Sequence, residues 1–66
     1  MYNKDLLNKM LDKYDIEKVA EFCEMTAFMY DTKFLACSEQ HLCSEFDFER
    51  DWWNSAYVEL IKEIRL

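Results

Sequence analysis

Apolar positions recur at helical spacing along almost the whole chain. In the first stretch, Leu6, Leu7, Met10, Leu11 and Tyr14 follow i, i+3 and i+4 steps, which gathers them on one stripe of a helix. Lys4, Asp5, Asn8, Lys9, Asp12 and Lys13 cover the remaining circumference, and Asn3 stands ahead of them as a candidate N-cap. The pattern predicts a first helix over 4–14.

Asp15 reads as the N-cap of a second helix, with Glu17 in the first turn, where the helix dipole favours an acid. At about 100° per residue, Ile16, Val19, Ala20, Cys23, Ala27, Tyr30, Phe34 and Cys37 share one face. Phe22, Met25 and Met29 occupy an adjoining face. A helix over 16–36 that is apolar this far round needs two neighbours, so Phe22, Met25 and Met29 are the candidate self-association surface. Asp31 and Thr32 prefer caps to helix interiors and mark where this helix would break.

The stretch 38–43 reads as a loop. Ser44-Glu45-Phe46-Asp47 then resembles a capping box with Asp in place of the usual Glu, which predicts a third helix over 45–65. Glu45, Asp47, Glu49 and Asp51 would crowd its dipole-favoured start. Residues 45–49 also alternate as a strand does, but the helical pattern after them is longer and is ranked first. Phe46, Trp53, Ala56, Tyr57, Leu60, Ile61 and Ile64 share the inward face of this helix. Phe48 and Trp52 lie off it as an i, i+4 pair.

Composition supports an all-α reading. The chain contains no Gly and no Pro, and tight β-hairpin turns depend on residues that accept positive φ. The expectation is a single domain over 1–66, a small three-helix bundle or array of helical hairpins. With 66 residues, 52% of them hydrophobic and 17% aromatic, the chain carries more apolar surface than so small a domain hides. Self-association as a homodimer, or a protein partner, would cover the surplus.

Charge narrows the partner. The net charge is -6, and residues 38–66 hold most of it. Phosphate-backbone binding needs clustered Lys and Arg, so direct nucleic-acid binding is disfavoured and a basic protein partner is favoured. Cys23, Cys37 and Cys43 are odd in number, which argues against a closed disulfide framework. The first residues lack the basic-then-apolar order of a signal peptide, and no run approaches the roughly 20 apolar residues of a membrane span. A cytoplasmic protein with free thiols and no membrane association is expected.

Candidate chemistry is thin. Cys37, His41 and Cys43 suggest a zinc site, but the second ligand pair of a structural zinc site is missing. A Cys43–His41 nucleophile pair has no third group to orient the base. Without Gly there is no phosphate loop, nucleophile elbow or EF-hand. No enzyme, cofactor or metal is therefore expected.

Val19, Ala20, Cys23, Met25 and Thr26 resemble the first helix and turn of a helix-turn-helix, with Glu24 where that motif prefers Gly. The resemblance implies a recognition helix over 27–35, yet Phe28, Met29, Asp31 and Phe34 stand where DNA readers carry Arg, Gln or Asn. The leading expectation is a non-catalytic helical interaction protein: an inhibitor, adaptor or accessory subunit. Its contact would be Phe48 and Trp52 ringed by Glu45, Asp47, Glu49 and Asp51. By analogy with phage inhibitors, a nucleic-acid-binding protein is a partner of the right charge. A degenerate helix-turn-helix regulator and a small metal-binding protein are the alternatives.

Overall fold

A computed structural model describes residues 2–65, which form three helices and no strand. The all-α expectation holds. Met1 and Leu66, the ends of the expected domain, lie outside the described residues.

Helix α1 spans Tyr2–Lys13. Asn3 therefore sits inside the helix, not at its cap. It is 7% exposed, and its side-chain amide donates to Glu49 at 2.8 Å. The earlier helix start removes Asn3 from the cap position, and its amide N–H instead ties α1 to Glu49 of the third helix.

Helix α2 spans Ile16–Leu35. Asp15 has the extended backbone of an N-cap and accepts the Val19 amide at 3.0 Å, although its side chain makes no capping bond. The helix runs through Asp31 and Thr32 without a break. The Thr32 hydroxyl donates back to the Phe28 carbonyl at 3.1 Å, and Asp31 accepts from Arg50, so both polar groups are satisfied in place. The turn that the helix-turn-helix resemblance requires at 24–26 is not formed, because α2 is continuous there. Its end is a right-handed cap at Ala36, and no described residue has positive φ. A chain without Gly closes its helices this way.

Helix α3 spans Gln40–Arg65 and corrects the expected start at residue 45. The Glu39 carbonyl accepts the Cys43 amide at 2.9 Å, which makes Glu39 the N-cap. Ser44 lies within the helix and donates to the Gln40 carbonyl at 3.2 Å, so the capping box and the strand reading of 45–49 both fall. No acid occupies the first turn. Glu45, Asp47, Glu49 and Asp51 stand beyond it, where the dipole has faded.

The core joins a small-residue stripe of α2 to large side chains of α3. Val19, Ala20, Cys23 and Ala27 pack with Trp53 and Leu60. Small facing large lets the two helices approach closely and interdigitate. Phe22 meets Trp53 edge-on at 5.7 Å, and Tyr30 meets Phe46 at 6.3 Å, as an antiparallel α2–α3 pair requires. Leu6, Leu7, Met10 and Leu11 of α1 close over this core from one side. Helix α1 meets both neighbours through side chains: Leu6 and Met10 line a depression with Val19 and Phe22 of α2, and Asn3 bonds Glu49 of α3.

Candidate protein-binding groove

Between α1 and α3 runs an open groove of about 640 Å³ that no residue of α2 lines. Its apolar floor is made by Leu7 and Leu11 from α1 and by Phe48, Trp52, Ala56 and Leu60 from α3. The α3 contribution repeats every fourth residue, which holds it to one continuous stripe. Asp47, Asp51, Ser55, Glu59 and Glu63 form a second fourth-residue stripe beside it and border the groove with carboxylates. Lys4 is the charged residue on the α1 side.

Phe48 is 56% exposed here, while Trp52 is half-buried and meets Trp53 edge-on at 5.0 Å. Trp53 is a core residue, 3% exposed. Helix geometry divides the acids that sequence proximity had grouped. Asp47 and Asp51 border the groove, whereas Glu45 borders a separate depression with Tyr30 and Phe46. Glu49 turns inward. Its Oε2 accepts from Asn3 at 2.8 Å and from the Trp53 indole N–H at 3.2 Å, linking α1 to the core. Glu59 and Glu63 complete the acidic edge; their spacing from Asp47 and Asp51 was the sequence signal for them.

Arg50 tempers the upper part of this edge. Its guanidinium bonds Asp31 of α2 at 3.1 Å, pairs with Asp47, reaches Asp51 at 3.4 Å and lies 4.9 Å from the Phe34 ring centre. The hydrogen bond to Asp31 and the charges of Asp47 and Asp51 raise the Arg50 pKa. Glu24 of α2 raises the pKa of Tyr57 on α3. At the lower end of the edge, Lys62 lies 3.5 Å from Glu59.

Met25 and Met29 are exposed on the outer face of α2, and Phe22 is 43% exposed while still touching Trp53. Phe28, 73% exposed, lies one turn from Met25, borders a depression with Ala27 and Arg50, and was missed because it sits just outside the periodic stripe.

Cys37, His41 and Cys43 meet around one residue. The Cys37 thiol and the Cys43 amide both donate to the Glu39 carbonyl, at 3.2 and 2.9 Å, and His41 lies 3.9 Å from the Glu39 carboxylate. The Cys43 pKa is raised, first by its hydrogen bond with Cys37. Among the described residues, no group of three or more His, Cys, Asp or Glu is placed to hold a metal ion. None of their helices is long and apolar enough to cross a membrane.

Compared with known proteins, the chain matches no family model, and no curated protein or solved structure resembles it significantly.

Proposed function

We propose that this protein is a non-catalytic interaction module that docks a basic protein surface against the acid-edged groove of α3. One observation carries the reading: an apolar stripe containing Phe48 and Trp52 and a ladder of carboxylates line the same groove. Exposed aromatics ringed by charge are the usual composition of an interface anchor and its rim. The acids steer a basic partner, and Phe48 supplies area that remains exposed without one. A partner whose basic face also contacts nucleic acid would be inhibited by such docking. Free thiols at Cys23, Cys37 and Cys43 suit a reducing, cytoplasmic setting.

The test is affinity capture from native lysate with the wild-type chain and with a variant carrying Asp47→Asn, Asp51→Asn, Glu59→Gln and Glu63→Gln. Wild type should retain a basic protein that the variant loses, and raised salt should release it. Identical recovery by both chains at every salt concentration would remove the acidic groove from the proposal.

A further inference from the structure

We infer that the groove between α1 and α3 receives one basic amphipathic helix of a partner, seated as the fourth helix of the bundle. The inference rests on the interaction-module reading and specifies the occupant.

The helix arrangement argues for a helical ligand. Packed helices sit about 8–10 Å apart axis to axis. The Cα atoms of α1 and α3 stay more than 8 Å apart, although Asn3 reaches Glu49 across the gap at 2.8 Å. The space between these two helices is lined by their residues alone. A helix placed there meets Leu7 and Leu11 on one side and Phe48, Trp52, Ala56 and Leu60 on the other. Both walls present side chains at helical spacing, the surface into which a helical ridge packs.

The acidic edge sets the charge and length of the ligand. Asp47, Asp51, Glu59 and Glu63 span about 24 Å at about 1.5 Å per residue, so a helix of roughly 16 residues covers them. Its flank toward α3 should carry Lys or Arg at i, i+4 steps. Arg50 already shares Asp47 and Asp51, and Lys62 lies 3.5 Å from Glu59, so Glu63 contributes more of the attraction per residue. A second copy of this chain does not suit the groove, because it brings the same net charge of -6 toward an acidic edge.

Three synthetic peptides of about 18 residues, long enough to form helix on binding, test the inference. One carries Leu at i, i+3, i+4 and i+7 with Lys elsewhere. The second has the same composition reordered to spread Leu around the helix. The third replaces Lys by Glu in the first pattern. Binding is followed by tryptophan emission, since Trp52 lines the groove, and by the helicity the peptide gains.

The patterned Lys peptide should bind and become helical, with the other two at least about tenfold weaker. Glu59→Gln with Glu63→Gln should weaken it about tenfold, two exposed charge contacts being lost. Met25→Ala, on the far face of α2, should leave it unchanged. Equal binding of the reordered peptide would overturn the helix claim while leaving an acidic docking surface. Equal binding of the Glu peptide would overturn the charge match. If no peptide binds, the inference falls, and lysate capture decides separately whether the interaction module stands.

Discussion

Glu49 shows what a single side chain does when it turns inward. Its carboxylate accepts hydrogen bonds from Asn3 and Trp53, which are 7% and 3% exposed. A buried donor stripped of its acceptor costs about 1–3 kcal/mol. Glu49→Ala strips two donors at once, so its urea midpoint should fall well below that of Glu45→Ala, whose residue is exposed. Glu49→Gln keeps a carbonyl acceptor and should fall in between. Equal midpoints for the Glu45 and Glu49 variants would contradict the assigned hydrogen bonds. Cys23 makes a second residue-level case. It is fully buried, and burial raises its pKa from 9.0 to about 11. The folded state then holds the thiol proton more tightly than the unfolded state does. The resulting stabilisation is complete below about pH 9 and fades as pH rises through about 11. Urea unfolding across that window should show a steeper loss of stability for wild type than for Cys23→Ala. Cys23 should also resist alkylation in the native state at pH 8, because the thiolate is the reactive form.

At the scale of the element, the start of α3 separates two readings of Ser44. If Ser44 capped the helix, its replacement by Ala would cost about 1 kcal/mol. Within the helix, Ser44 donates to the Gln40 carbonyl, and Ala is the better helix former by a few tenths of a kcal/mol. Ser44→Ala should therefore be neutral or slightly stabilising in thermal melts, and a clear loss would restore the cap to residue 44. The misreading has a physical source. Glu39, the residue whose carbonyl opens the helix, is a poor capping type, while Ser44 followed by Asp47 has the form of a box. Leu42 and Phe46 extend the apolar spacing one turn earlier and carried the correct signal. The small-residue stripe of α2 and the inward face of α3 were legible because a 3.6-residue period fixes them locally. The groove was legible only in half. Phe48 and Trp52 follow from spacing on α3, but Leu7 and Leu11 join them through the path of α1 along α2, which no local pattern records.

For the whole molecule, the question is what covers the apolar surface that packing leaves out. Met25 and Phe28 on the outer face of α2 are 64% and 73% exposed, with Phe22 and Met29 beside them. Phe22 also touches Trp53 and Phe28 borders a depression with Ala27 and Arg50, but none of the four lines the α1–α3 groove. We propose that two copies pair through this outer face of α2. The pairing would be isologous, each copy presenting the same patch to the other. Its charge consequence is tolerable because most of the negative charge lies after residue 37, on the side of α3. Sedimentation velocity over a wide concentration range should show wild type moving from monomer toward dimer. Met25→Glu with Phe28→Glu should stay monomeric, and since both residues are exposed, the variant should keep its helical circular dichroism. Wild type that remains monomeric at the highest concentration would remove α2 as a pairing surface. Because Phe22, Met25, Phe28 and Met29 do not line the groove, a dimer built this way leaves both groove floors open. A partner with two basic helices could then engage both, and its apparent affinity should drop sharply for the monomeric variant while a single-helix peptide binds both proteins equally.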